Sequence, residues 1–373
     1  MKPIVKWPGG KSEELERIRP WIPEHDRFVE PFLGGGAVFF DLEPSRALIN
    51  DINPSLTTLY QLLADGSPEM HAKVRALGRG WDALGDHAAQ ASSDAASIHA
   101  AYRDHQDDER VVQDCHELLT QHLHEFERDF ASCWCVDATV LNKAAATALE
   151  RKLRRILNKE RKTGDVWSDA DIATQCETAV RSAYYLYIRD RTVPNTPAEE
   201  ASVFFFLREF CYGAMFRFNK QGRFNIPYGG ASYNRKDFDG KIERLCSPDV
   251  QTVLKRAEIR CGSGIELLRL PDLTDRDFVF LDPPYDSDFT DYDGYPFGKR
   301  EQEELADAFA GLHAKALMVI ARTDFIEKLY LDAAKRSVRP LIVESYDKLY
   351  SYNTKGRNDR QAKHLAIRNY ESA

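Results

Sequence analysis

Apolar positions in the first 65 residues fall into short blocks whose period alternates between that of a strand and that of a helix. "RFVEPF" (27–32) reads as a buried strand, "GGAVFFDL" (35–42) as a helix entered through glycines, "ALIN" (47–50) as a second strand and "PSLTTLYQLL" (54–63) as a second helix. Asn53 and Pro54 supply that helix with an N-cap and a first-turn proline. This β-α-β-α succession predicts a doubly wound sheet, whose ligands lie at the carboxyl ends of the strands. From about 66 to 200 the alternation stops, and Ala-, Asp- and His-rich sequence with long polar stretches predicts helices and loops. The α/β rhythm returns near 258: "AEIRC", "DFVFLD" and "ALMVIA" (316–321) are strand-like, and "KREQEELADAFAGL" (299–312) is an amphipathic helix. "LIVESY" (341–346) and "KHLAIRNY" (363–370) read as closing strands. The pattern predicts one α/β domain assembled from 1–65 and 246–373, a mostly helical insertion at 66–200, and a middle segment at 201–245.

Composition narrows the classes. The chain has 373 residues, long enough for one large core or two modest ones. Its 51 Lys and Arg against 59 Asp and Glu give a formal net charge of -8, so attraction for a polyanion needs a local basic face. "RKLRRILNKERK" (151–162) offers one: Leu153, Ile156 and Leu157 share a helical face with seven basic residues around the remainder. That helix reads equally as a phosphate-facing surface or a solvated face. No apolar run is long enough to span a bilayer, and the N-terminal stretch lacks the apolar core of a signal peptide, so a cytoplasmic address is expected. Seven cysteines without a repeating framework fit reduced thiols. His116, His122, His124, Cys133 and Cys135 could be drawn as a zinc site, but their C-x-C and H-x-H spacings match no standard ligand pattern, and no metal is expected.

Candidate chemistry concentrates at three places. "VKWPGGKSEE" contains a GKS that resembles the end of a phosphate loop, yet position five before Gly10 is Val5 and the required glycine is missing. In "EPFLGGGAVFF" (30–40), Gly34, Gly35 and Gly36 stand at a strand-to-helix turn, where bare backbone can approach a ligand closely. Asp51 follows the next strand, where nucleotide sites place an acceptor for ribose hydroxyls. An acidic ribose ligand with neither a phosphate loop nor a dinucleotide fingerprint suggests a nucleoside cofactor without phosphates, such as S-adenosylmethionine. In "FVFLDPPYDSDF" (278–289), two prolines fix the backbone after an apolar strand. This turn can aim the Asp282 carboxylate and the Pro283 carbonyl at a planar amino group while Tyr285 stacks on its ring. The exocyclic amine of a base flipped out of its duplex is such a target.

With these motifs in hand, the chain resembles the Dam-type (D12 class, alpha group) DNA adenine-N6 methyltransferases. The resemblance rests on "KWPGGK" (6–11), "FVEPFLGGGAVFF" (28–40), "NDIN" (50–53), "LREFCYGAMFRFNKQGRFNIPYGG" (207–230), "FVFLDPPYDSDFTDY" (278–292) and "SYNTKGRNDRQAKHLAIRNY" (351–370). It implies a Rossmann-like S-adenosylmethionine-dependent methyltransferase sheet with a helical insertion and a target-recognition domain at 201–245. By resemblance, Trp7, Lys11, Phe32, Gly34, Gly35, Gly36, Asp51 and Asp282 hold S-adenosylmethionine, and Asp282, Pro283, Pro284 and Tyr285 hold the flipped adenine. Tyr212, Met215 and Pro227 occupy positions that contact or open the target site, and Arg217 reads a guanine edge; Lys220 and Arg223 suit phosphate contact. Double-stranded DNA is then the substrate, with a GATC-like palindrome expected. Gly213 departs from the asparagine common in the pattern. Cytosine-N4 methylation and non-catalytic DNA binding are the alternatives; the first more usually carries serine in place of Asp282, and the intact Asp-Pro-Pro-Tyr argues against the second. A restriction endonuclease partner is compatible with the family, but nothing in the sequence indicates one.

Overall fold

Residues 27–30, 47–51 and 277–281 alternate side chains between two buried faces, and the strands they form sit at the centre of the sheet. The computed structural model describes residues 1–102, 113–114, 117, 123–130, 133–215, 217–219, 221, 223–285, 291–292, 295–349 and 361–371. Seven strands form one sheet: β1 Arg27–Glu30, β2 Ala47–Asp51, β3 Ala257–Cys261, β4 Asp277–Leu281, β5 Lys315–Ala321, β6 Ile342–Leu349 and β7 Gln361–Arg368. Their order is β3-β2-β1-β4-β5-β7-β6, with the first five parallel and the last two joined in antiparallel. The strand order reverses at β1, so the crevice beyond the carboxyl ends of β1 and β4 is the switch point where such sheets bind ligands. This is the Rossmann-like sheet that the resemblance implies.

Period-two alternation explains how the sheet is covered. Val29, Leu48, Val279, Leu281, Met318 and Ile367 belong to one core, packed against the helices Lys299–Ala310 and Asp324–Ala334 through residues such as Leu305, Phe309 and Tyr330. Their neighbours Phe28 and Phe278 meet each other at 6.0 Å, and the Phe40 ring meets Tyr60 at 6.0 Å. Arg27 and Asp277 lie opposite each other in the β1–β4 register and form a bidentate pair at 2.9 and 3.0 Å. That pair fixes the relative heights of the two strands whose far ends carry Glu30 and Asp282. β1 stops at Glu30 rather than running to Phe32, because Pro31 has no N–H to continue the ladder.

By compactness the chain divides into two units: Met1–Asp65 with Phe216–Asn225 and Ser247–Ala373, and Gly66–Met215 with Ile226–Cys246. The second is helical, built mainly on Pro68–Tyr102, Ala138–Thr163, Asp169–Arg191 and Pro197–Phe210. Asp137, Ser168 and Thr196 cap three of these helices, each accepting from a backbone N–H three residues on. An aromatic cluster lies inside, with the Trp81 ring 4.0 Å from Phe210 and 6.0 Å from Phe206 and Tyr228. On Ala138–Thr163, Leu153, Ile156 and Leu157 are buried as the periodicity predicts, and Arg151, Arg154, Arg155 and Lys159 are exposed. His116, His122 and the side chain of His124 lie outside the described residues; among those described, no cluster of three or more His, Cys, Asp or Glu side chains is placed to hold a metal ion. No helix among the described residues is long and apolar enough to cross a membrane.

Candidate active site

The turn after β1 is shaped from β2. Leu33 N–H donates to Asn50 O at 2.9 Å, and Asn50 Nδ2 donates to Pro31 O at 2.9 Å. Gly34 is held at both backbone groups: its N–H donates to Asp51 Oδ2 at 2.8 Å, and Tyr60 Oη donates to its carbonyl at 3.0 Å. Gly34 has φ 50° and Gly36 φ 66°, both left-handed. A Cβ on Gly34 would stand 2.5 Å from the Trp7 ring, and one on Gly35 would stand 2.9 Å from Val5 O. The run of glycines therefore lets the N-terminal stretch lie directly on the turn. Asn53 caps the helix Pro54–Ala64 by accepting from Leu56 N–H at 3.0 Å. Asp51 is not the cap: its Oδ1 accepts from Asn53 N–H at 2.9 Å, and the residue lines the cleft. Burial raises the Asp51 pKa, and the surrounding N–H groups oppose that rise.

Across the cleft, β4 gives way to Asp282, Pro283, Pro284 and Tyr285. Gln302 Nε2 donates to Pro284 O at 2.8 Å and anchors this corner to the helix behind it. The Lys11 side chain is 1 % exposed, and its ammonium pairs with Asp282 Oδ1. It also donates to Tyr285 Oη at 2.9 Å and to Gly9 O at 3.2 Å. The GKS lysine is thus neutralised by a carboxylate. Among the described residues Asp282 Oδ2 has no bonding partner. Burial pushes the Asp282 pKa up, and Lys11 works against the rise.

Both halves meet in one cleft of about 220 Å³. Trp7, Lys11, Phe32, the three glycines and Asp51 line it from one side, and Asp282 through Tyr285 from the other. Phe32 fits because Gly264 is bare: a Cβ there would come within 2.8 Å of the Phe32 ring. Every cofactor and catalytic position expected from the sequence therefore lines this one cleft.

The structure adds residues that the sequence pattern does not single out. Glu30 is buried and lines the cleft, its Oε2 has no partner among the described residues, and its pKa is raised well above the ordinary value by burial and then by the nearby Asp282 charge. Its signal in the sequence is an acid within the apolar first strand, shortly before the glycines. Behind Lys11, Glu14 Oε2 accepts from Tyr346 Oη at 2.6 Å and meets His364 Nδ1 at 2.8 Å. Burial opposes its ionisation, but His364, Lys11 and Tyr346 prevail and hold its pKa at about 2, below its usual 4.5. A depressed carboxylate contributes stability that is full above the unfolded value and is lost as pH falls from about 4.5 towards about 2. Acid unfolding followed by circular dichroism should accordingly be shallower in Glu14→Gln; superimposable acid profiles would contradict this assignment.

In the segment expected to recognise the target, the chain doubles back on itself. Among the described residues it holds two isolated bridges, Cys211↔Tyr228 and Phe218↔Phe224. Proline at 227 has no N–H for a ladder, and Gly213 turns left-handed at φ 64°. Asparagine also tolerates that conformation, which accounts for glycine at the position. At the tip, Asn219 Oδ1 accepts from the N–H groups of Gln221 and Arg223 at 3.0 and 2.9 Å. Arg217 is exposed, with Nε on Asn225 Oδ1 at 2.9 Å, and Arg223 is exposed too. In the helical unit, Tyr212 and Pro227 are exposed and joined by Tyr212 N–H to Pro227 O at 2.9 Å; Met215 is half-buried. Lys220 lies outside the described residues.

Comparison with known proteins bears directly on this cleft. The chain is 27% identical over 377 residues to the type II methyltransferase M.CviBI of Paramecium bursaria Chlorella virus NC1A, covering 99% of this chain and 100% of that protein. It is 25% identical over 349 residues to the type II methyltransferase M.MjaIII of Methanocaldococcus jannaschii, covering 88% of each. The DNA adenine methylase of Escherichia coli K12 is 21% identical over 323 residues, 85% of this chain and 78% of that protein. The model for the D12 class N6 adenine-specific DNA methyltransferases matches residues 7–151 and 124–341, which include the glycine turn and the Asp282 corner. With that match spanning most of its length, the chain belongs to the D12 class of N6 adenine-specific DNA methyltransferases.

Proposed function

We propose that the cleft binds S-adenosylmethionine against Trp7, Lys11, Phe32, Gly34, Gly35, Gly36 and Asp51, and that Asp282 through Tyr285 receive an adenine flipped from double-stranded DNA. The observation that carries this reading is the convergence of both sets of residues on one cleft, with Lys11 joining them. The residues fit the cofactor: an orphaned carboxyl oxygen on Glu30 suits a bound cation, and S-adenosylmethionine carries a sulfonium and an ammonium. When bound, it supplies an electrophilic methyl group.

The rest of the chemistry is the protein's own. Adenine's amino lone pair is delocalised into the ring and is weakly nucleophilic. Acceptors at Asp282 and the Pro283 carbonyl, engaging the two N6 hydrogens, favour the pyramidal nitrogen that can attack. Asp282 need not remove a proton first, because the nitrogen becomes acidic once methylated. Tyr285 stacks on the flipped ring. Arg217 reads a guanine edge, Tyr212, Met215 and Pro227 contact or open the site, and Lys220 and Arg223 meet phosphates. A GATC-like palindrome is the expected target and the cytoplasm the expected compartment. The segments 1–65 and 246–373 are the catalytic domain in this reading, with 66–200 as an insertion and 201–245 for target recognition.

Purified protein incubated with methyl-labelled S-adenosylmethionine and mixed-sequence duplex DNA should yield N6-methyladenine on nucleoside analysis. Label in N4-methylcytosine, or no transfer, would count against the proposal. Gly34→Ala should weaken S-adenosylmethionine binding by about tenfold or more, since its Cβ displaces Trp7 and a left-handed alanine costs roughly 1–2 kcal/mol. Calorimetry giving an unchanged affinity would detach the glycine turn from the cofactor.

A further inference from the structure

Lys11 and Tyr285 are tied into a closed ring of contacts whose other members do not line the cleft. Glu14 N–H donates to Lys11 O at 2.9 Å, closing the short turn that carries the lysine. The Glu14 carboxylate, buried, meets His364 Nδ1 at 2.8 Å and accepts from Tyr346 at 2.6 Å. Those two residues face each other in the β6–β7 register, with rings 5.8 Å apart. The His364 ring meets the Tyr285 ring edge-on, at 5.6 Å and 72°. Tyr285 Oη returns to Lys11 Nζ at 2.9 Å. The circuit thus runs from Lys11 to Glu14, to His364, to Tyr285 and back to Lys11. Lys348 Nζ stands 3.7 Å from Glu14 Oε1, so the carboxylate has charged company on that side too.

We propose that Glu14 and His364 are positioning residues for methyl transfer: they fix the tilt of the Tyr285 ring and keep the Lys11 ammonium on Asp282. The inference rests on assigning Asp282–Tyr285 to the flipped base. Its physical basis is that the contacts of Glu14 and His364 reach both ends of the corner, the Lys11 turn and the Tyr285 ring. Tyr285 ends a turn in which the prolines fix the backbone but do not fix the rotation of the ring about its own side-chain bonds. Lys11 hangs on a flexible four-carbon stem. A buried carboxylate that draws His364 from β7 and Tyr346 from β6 onto the Lys11 turn restrains both. Since neither Glu14 nor His364 lines the cleft, their loss should act on the rate of the chemical step rather than on cofactor affinity.

The test uses the full chain and single-turnover methyl transfer at saturating S-adenosylmethionine and duplex DNA. His364→Asn keeps a donor near the Nδ1 position and removes the ring edge. It should lower the rate about tenfold, a misplacement effect, with cofactor affinity within about twofold and an unchanged circular dichroism spectrum. Glu14→Gln should act in the same direction. In a Tyr285→Ala background, His364→Asn should add less than about twofold, because its effect passes through the missing ring. A folded His364→Asn protein with the parental rate, or one whose effect multiplies fully with Tyr285→Ala, overturns the inference. A Tyr285→Ala protein with the parental rate removes the corner assignment itself, and the inference with it.

Discussion

Replacing Asp282 with alanine is expected to lower methyl transfer by a factor of at least about 10²–10³, the cost of removing one preorganised group aimed at developing charge. The expectation follows from position. Asp282 directly follows β4 at the switch point of the sheet, its Oδ1 lies on Lys11, and Oδ2 has no partner among the described residues. Affinity for S-adenosylmethionine should be largely retained, because the glycine turn is built from β1 and β2. Losing the carboxylate leaves the buried Lys11 ammonium without its counter-ion, at a cost of roughly 3–5 kcal/mol in stability. The folded fraction therefore has to be measured by circular dichroism on the same preparation. Normal turnover in a folded Asp282→Ala protein would refute the role given to it. The native enzyme carries a related pH signature. Burial raises the Asp282 pKa, so the active carboxylate form is lost as pH falls through a value above the ordinary 3.8. A single-turnover pH profile should show its acid limb displaced upwards accordingly, and Asp282→Asn should lack that limb.

Arg217→Ala is expected to relax sequence choice at one guanine, with roughly 1–3 kcal/mol of discrimination lost, or about 5- to 150-fold in the preference between target and substituted sites. The side chain is exposed at the tip of a loop whose backbone is fixed by Asn219, and Nε is engaged by Asn225. That contact leaves the guanidinium fork to approach a base edge while the stem stays in register. Methylation rates on duplexes substituted at each position in turn would locate the affected base. An unchanged preference at every position would show that another residue makes the reading.

The strands and the site were largely legible in the sequence, for physical reasons that also explain the gaps. Unbroken apolar runs marked Phe28 and Val29, and Phe278 and Val279, because each strand is buried on both faces. The glycines and the Asp-Pro-Pro-Tyr turn stood out because backbone approach and fixed φ demand those residue types. The recognition segment's aromatics and basic residues were legible, but not the two isolated antiparallel bridges that fold it back, which Pro227 and the left-handed Gly213 keep from extending into a ladder. Glu30 was visible as a letter but not as a buried acid, since only the folded cleft shows that Oε2 finds no partner among the described residues. Glu14 and His364 were silent, because no periodicity relates residues 350 positions apart. Their pairing depends on β7 running antiparallel beside β5 and β6, which sets His364 opposite Tyr346.

The most direct measurement is a structure of the protein with a target duplex and an unreactive analogue of S-adenosylmethionine. The account predicts one adenine outside the helix, its N6 within hydrogen-bond distance of Asp282 and the Pro283 carbonyl, its ring on Tyr285, and the analogue against the glycine turn. An adenine still stacked in the duplex, or an analogue bound away from Gly34–Gly36, would contradict it.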